Sequence, residues 1–563
     1  MDGRGGLGTV SVVALGNQAS GLFAEYPTTH RAVTVKAGNP AVDANGHFTP
    51  EPATQVPTSG EACPHHPRGP AAPPSSPCPD PPERPPTLGA HMVRTVPLLR
   101  RLGVLVAAGL AGLLAVCGGQ LASSASTATG TTPRTLTVSS PGQLPVVLAQ
   151  ARPGDRLEVA AGVYGAGPIR VGRSGTAQAP ITIAALGQVR FTGSGGLDLT
   201  GASHVVVQGF VFANDAGLTV PGGAAGNRIT RNVFQGNPGN ADLTVAASDT
   251  EVDHNTFENR TAVGVYLQVV GPGAHDMAQR VHVHHNYFFN HQYKGANGGE
   301  SIRFGLSGRQ HAVANGLIED NLFDKADGDS EAISVKSTNN VVRYNTIVNS
   351  RGTISLRHGW NTLVEGNILI GGTTGIRFFG NNHVIINNIV EDTAGTPMEV
   401  GGGEVRDDTT SGTDHEAADH CLVAFNTLSG TGNIVWYESS KPFPPSDDTL
   451  ADNILLGHGQ PAATGIGTAL HFTGNILFGA PAGTLPAGAY RTIDPRLVRD
   501  AHGLLRPTAT SPAIGAATGS FPQATLDIDG QTRPAAKDVG ADQYNVATPA
   551  RPLTTADVGS TAP

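Results

Sequence analysis

Arg231-Asn232-Val233-Phe234, His254-Asn255-Thr256-Phe257 and His285-Asn286-Tyr287-Phe288 share one shape. A polar residue is followed by Asn and by a pair that ends in Phe. Asn321, Asn345, Asn367, Asn388, Asn426, Asn453 and Asn475 head later copies, and Gly209-Phe210-Val211-Phe212 is an earlier copy without the Asn. From Asn232 onward the successive spacings are 23, 31, 35, 24, 22, 21, 38, 27 and 22 residues. The base period is therefore about 22, lengthened in particular turns. β-branched residues are frequent and helical periodicity is missing, which excludes a helical repeat. The pattern predicts an all-β chain, a single-stranded right-handed parallel β-helix (solenoid). Asn suits its turns because it tolerates left-handed backbone and can bond its own backbone. Stacked Asn side chains can also form a ladder.

Working outward, the period explains a second pattern. Ser301-Ile302-Arg303, Ser334-Val335-Lys336, Ser355-Leu356-Arg357 and Gly375-Ile376-Arg377 each run small, aliphatic, cationic. The last three cations are 21 and 20 residues apart. At one coil per spacing they would stack as a column on strands about 4.8 Å apart. Stacked like charges repel, and a polyanion lying along them would relieve it. The long spacings place insertions before Asn286, within 292–315 and within 391–420, which gives the column walls.

Composition narrows the function. The 563 residues carry 74 Gly, 5% aromatics, 14% charged residues and a net charge of −9. That balance argues against nucleic acid as partner. Residues 1–91 are Pro-rich from Pro50 to Pro86 and read as a disordered extension or a mis-assigned start. Met92 opens a secretory pattern: Arg94, Arg100 and Arg101, the apolar run Leu102 to Val116, then Ala122-Ser123-Ser124-Ala125. Residues 92–126 are thus expected to be a signal peptide, 127–134 a linker, 135–545 the β-helix and 546–563 a frayed tail. A short helix from Gln143 to Ala151 is expected to cap the first coil. Cys117 follows Leu114-Ala115-Val116, a poor lipoprotein processing site, so a secreted, soluble monomer is expected. Cys63, Cys78 and Cys117 fall in the part removed, which leaves Cys421 alone, without a disulfide framework and buried.

Asn297, Glu300, Asp329 and Glu331 lie near the cations in sequence. Asn with carboxylates suits a hard cation such as Ca²⁺; alternatively the acids pair with Arg303 and Lys336. In a uronate polymer, neutralising the C6 carboxylate makes the C5 proton removable, and the 4-linked sugar then leaves by β-elimination. A base must be neutral to act. Lys336 sits between Arg303 and Arg357, and like charges lower a lysine pKa, so Lys336 suits the role. The Arg357 guanidinium rarely yields a proton, so it stabilises charge or orients a water.

Asn297-Gly298-Gly299-Glu300-Ser301-Ile302-Arg303, Glu331-Ala332-Ile333-Ser334-Val335-Lys336-Ser337 and Leu356-Arg357-His358-Gly359 resemble the motifs of polysaccharide lyase family 6, the alginate lyases and chondroitinase B. The resemblance runs from about Thr137 to Tyr544. It implies Lys336 as Brønsted base, Arg357 as Brønsted acid, and a Ca²⁺ site from Asn297, Asp329 and Glu331. The position of Asp329 is usually Glu in that family. Arg303, His358 and Arg377 match substrate-contacting positions. The expected activity is alginate cleavage, with chondroitin or dermatan sulfate as alternative substrate. Two further alternatives are a glycoside hydrolase using Asp329 and Glu331 as its carboxylate pair, and a non-catalytic sugar-binding solenoid. His282 and His284 share a strand face that could take a metal. His415-Glu416 with His420 is one residue too long for a zinc helix motif.

Overall fold

The computed structural model describes residues 132–563, except 237–238, 411 and 546–548. The expectations for 1–91, for 92–126 and for most of the linker lie outside the described residues. What is described is a parallel β-solenoid with almost no helix, as the repeat predicts. Twelve short strands, one per coil, stack as one parallel sheet, and the other coil strands form a larger parallel array. Seven neighbours in the twelve-stranded sheet position the site: β1 Val265–Val269, β2 Ile302–Gly305, β3 Glu331–Lys336, β4 Thr353–His358, β5 Ile376–Phe378, β6 Met398–Val400 and β7 Val435–Tyr437.

The repeat residues build the interior. Phe191, Phe212, Phe234, Phe257, Phe288 and Phe323 stack in a continuous column, with centroids 4.7–5.2 Å apart. The Asn positions form a second column. The Nδ2 of Asn232 donates to Asn255 Oδ1 at 3.1 Å, and the same link repeats through Asn286, Asn321, Asn345, Asn367, Asn388, Asn426 and Asn453 to Asn475. Each Oδ1 also accepts the backbone N–H of the preceding Asn, which satisfies those buried backbone amides. The expected left-handed residue falls one place earlier. Arg231, His254, His285, Asp320, Tyr344, Asn387, Phe425 and Asp452 have φ between +50° and +58°, and Gly209, Gly366 and Gly474 take the same place. The Asn itself clasps the bend through Nδ2, for example Asn345 to Arg343 O at 3.0 Å.

A 3₁₀ turn, Pro141–Gln143, leads into α1, Leu144–Leu148, which buries Leu144 and Leu148 against the first coil. The helix is shorter than expected, but it caps the end where edge strands would otherwise be open. The insertions leave the coil at 270–281, 292–301, 306–316 and 401–421. Cys421 is buried, just before the strand Leu422–Ala424. Leu504, Ile528 and Ala541 wrap back onto Ile368 and Ile389. The tail expected to fray does not. Leu553 N donates to Thr346 Oγ1 at 2.9 Å, Gly559 N to His285 O at 2.9 Å and Ser560 N to Thr256 Oγ1 at 3.0 Å, and Val558 is buried. The tail is ordered by hydroxyls and carbonyls on coils far upstream, which a fading repeat does not reveal.

His383 is expected to make the fold acid-sensitive. Its ring is fully buried, with Nδ1 accepting Thr362 N–H and Nε2 facing Phe379 O at 2.8 Å. Burial pushes its pKa down to about 4, although these backbone partners pull it up. Between about pH 4 and 6.5 the unfolded chain binds this proton and the folded chain does not, so stability falls as pH is lowered through that window. At about 1.4 kcal/mol per pKa unit, the loss approaches ~3 kcal/mol. Thermal unfolding from pH 7 to 4 should show a falling midpoint, and His383→Gln should flatten the slope.

Candidate active site

The cations do not form one column. Register pairs Arg303 with Ser334, Ser334 with Ser355 and Ser355 with Arg377. Lys336 lies two residues further along β3, opposite Gly305 on one side and His358 on the other. The register slips between Val335 and Lys336, so Arg357 is an extra residue in β4, a bulge. The bulge moves the partner of Lys336 from Arg357 to His358, and the 20-residue spacing joins different files, because Arg377 pairs with Ser355. The result is a cluster two residues wide, with Arg303 and Arg377 in one file and Lys336 and His358 in the next.

Acids interleave with these cations, and Glu300 makes the pairing with Arg303 and Lys336 that was one of the two readings. Arg303 Nε and Nη2 donate to Glu300 Oε1 and Oε2 at 2.8 and 2.6 Å. Lys336 Nζ, almost fully buried, lies 3.7 Å from Glu300 Oε1. Arg357 Nη1 reaches Glu331 Oε1 at 3.2 Å, and Arg377 Nη2 bonds the same oxygen. Arg377 also donates to Ser355 Oγ and lies over the Phe379 ring, 5.7 Å from its centroid. Burial pushes the Glu331 carboxyl up, but Arg377, Arg357 and Lys336 outweigh it and hold Glu331 ionised.

Asp329 and Glu331 stand at the leading edge of β3, beside the 292–301 loop that carries Asn297 and Glu300. Asp329 Oδ1 accepts Glu331 N–H at 2.7 Å and Oδ2 accepts Gly299 N–H at 2.8 Å. The short Asp side chain therefore clasps the loop to β3. Its pKa is raised by burial and by the charges of Glu300 and Glu331. Glu331 Oε2 is buried without a hydrogen bond. An orphaned carboxylate oxygen within a crowded acidic set fits a hard divalent cation. Glu300, committed to Arg303, serves as counter-ion.

At the trailing edge, Gly359 (φ +97°) turns the chain; a Cβ there would meet Ser337 O at 2.2 Å. This close approach accounts for the glycine after Arg357-His358. His358 is buried, 3.3 Å from Ser307 Oγ. Burial, His415, Lys336 and Arg357 hold its pKa well below the ordinary value, so the ring is neutral. His415 comes from the 401–421 insertion, stacked on Phe379 at 4.4 Å and 5.3 Å from His358. Burial and then Arg357 push its pKa down to about 4. His420 is elsewhere, paired with Asp447 at 2.7 Å, so the zinc-like spacing joins nothing. His282 and His284 face Glu319 and Glu251 on the larger array, away from this cluster.

Sequence reasoning missed Phe379 and Glu399, and weighed His415 only as part of a zinc spacing. Glu399 pairs with Arg377 across β5 and β6. Met398-Glu399-Val400 repeats the apolar–polar–apolar shape of Ile376-Arg377-Phe378 at the 22-residue period, and that signal was available.

The family described as Chondroitinase B matches residues 138–433, more than half of the chain. The chain belongs to the chondroitinase B family. Among solved structures it is similar to a polysaccharide lyase family 6 alginate lyase, AlyGC. The TM-score is 0.59 and the identity 26%, over 67% of this chain and 55% of that one. The chain thus spans little more than half the length of AlyGC. It shares its fold with a mannuronic acid specific family 6 lyase from human gut microbiota (TM-score 0.55, 22% identity, 64% of this chain and 91% of that one). It also shares it with the family 6 lyase Pedsa3628 from Pseudopedobacter saltans (TM-score 0.55, 18% identity, 76% and 99%). No curated protein matches the chain. Family and neighbours agree with the family 6 resemblance carried by the three motifs.

Proposed function

We propose that the chain is a secreted polysaccharide lyase that cleaves a 4-linked uronate polymer, alginate first, by β-elimination. The observation that carries this reading is the buried Lys336 beside Arg357, with carboxylates at one edge of the sheet and neutral His358 at the other. Lys336 Nζ, as the free amine, takes the C5 proton. The electron pair left at C5 forms the C4–C5 double bond, and the C4–O bond breaks. Arg357 stabilises the leaving oxygen, which takes a proton from a water that the guanidinium orients. Arg303, Arg377 and His358 hold the sugar. Asn297, Asp329 and Glu331 would hold Ca²⁺, which when bound neutralises the substrate carboxylate and acidifies C5.

The geometry gives the hydrolytic alternative less support. Asp329 accepts a backbone N–H on each oxygen, so it is poorly placed to donate as an acid, and Glu331 Oε1 is occupied by arginines. The proposal also takes residues 92–126 as a leader and the mature chain as a monomer that binds neither nucleic acid nor membrane.

Incubation with alginate, dermatan sulfate and pectate tests the reading. Ultraviolet absorbance of an unsaturated uronate is expected, strongest with alginate; new reducing ends without absorbance would mean hydrolysis. A calcium chelator is expected to reduce turnover to a small fraction, restored by added Ca²⁺. Undiminished turnover after chelation would remove the metal from the proposal.

A further inference from the structure

Charge along the outward face of the catalytic sheet is lopsided. On one side of the cation cluster, the file through Arg303 continues as Gln268, Thr244 and Thr219, one residue per coil. The first acid in that file, Asp198, is four coils from Arg303. On the other side the sign flips at once, because Glu399 is one coil beyond Arg377 and Trp436 follows. Glu438, two residues past Trp436, faces Glu399 closely enough to push its pKa up further, behind burial, while Arg377 pulls it down. Lys441, the cation that acts most strongly on Glu438, is paired with Glu404. A polyanion is therefore attracted as far as Arg377 and repelled one strand spacing, about 4.8 Å, beyond it. Toward β1 the same file presents neutral hydrogen-bonding groups for three coils, and Asp242 beside it is buried and paired with Arg260.

We propose that Glu399, with Glu438 beside it, is an end stop: the polymer binds with its terminus against these acids, and cleavage is exolytic. Long chains extend over β1 and the coils before it, and short unsaturated products leave from the β5–β6 side. This rests on the lyase reading above.

The test follows viscosity and ultraviolet absorbance together on long alginate. With the wild-type protein, absorbance should climb while viscosity falls slowly, and the smallest unsaturated product should dominate from the first turnovers. Early collapse of viscosity with a ladder of oligomers would overturn the end stop while leaving the lyase reading intact. Absorbance with none of the three polymers would overturn the lyase reading and the end stop with it. Glu399→Gln/Glu438→Gln keeps side-chain shape and removes the charges. It should raise viscosity loss per double bond formed several-fold, and so should Glu438→Gln alone, to a smaller degree. An unchanged ratio in folded variants would overturn the assignment of these acids.

Discussion

Lys336→Ala is expected to fold normally and to lose about 10²–10⁴-fold in the rate of unsaturated product formation, the range a positioned general base contributes. The fold should survive because of what Lys336 leaves behind. Glu300 keeps both bonds from Arg303, at 2.8 and 2.6 Å, so no unpaired buried acid is created. The missing alkyl stem costs on the order of 1–3 kcal/mol, small against a solenoid held on both sides by neighbouring coils. Lys336→Arg separates base from charge. It restores a cation opposite Glu300 but cannot release a proton at working pH, so it should be as inactive as the alanine variant. Initial rates by absorbance, beside circular dichroism of each variant, decide the matter. Activity retained in Lys336→Ala would remove the residue as base, and activity restored by Arg would reduce its role to electrostatics. Arg357→Ala is a less clean probe, because Arg357 also neutralises Glu331.

The second large effect is structural. Asn345→Ala, at the middle of the Asn column, is expected to cost about 3–5 kcal/mol, from several buried polar groups at roughly 1–3 kcal/mol each. Asn321 loses the acceptor of its N–H and of one Nδ2 bond. Asn367 Oδ1 loses one of its two donors, since the N–H of residue 345 still reaches it, and the carbonyls of Ile318 and Arg343 each lose an Nδ2 donor. Asn345→Asp should cost about as much, since it keeps the acceptor but loses the donor and buries a charge. Denaturant unfolding measures this; a loss under about 1 kcal/mol would mean that the column contributes little. Adjacent coils share the damage, so unfolding of the variant should start near residues 321–367 and spread.

How much of this was readable in the chain follows from which interactions are periodic. The Asn and Phe positions recur at one per coil, so the solenoid, its interior columns and the exits of the insertions could be read directly. The motifs around Arg303, Lys336 and Arg357 placed the right side chains on adjacent strands. Their register could not be read, because the Arg357 bulge is a local backbone event with no composition signal. The bend residue was placed one position late because Asn is favoured at both sites, and stacking rather than backbone preference decided between them. Asp329 stood out as a departure from the family pattern; its clasp on Gly299 depends on an insertion whose path no repeat predicts. The tail was misjudged because its partners, Thr346, Thr256 and His285, lie two to three hundred residues upstream.

The bend-plus-Asn clamp also governs how the chain can change. Whatever length of loop intervenes, the next clamp restores the same azimuth about the solenoid axis. The 38 residues between Asn388 and Asn426 therefore leave Val423 in step with Ile385, as if 22 had passed. Loop length is thus decoupled from strand phase. Groove walls can be lengthened, trimmed or exchanged between successive Asn positions without moving Lys336 relative to Arg357, which makes specificity evolvable separately from chemistry.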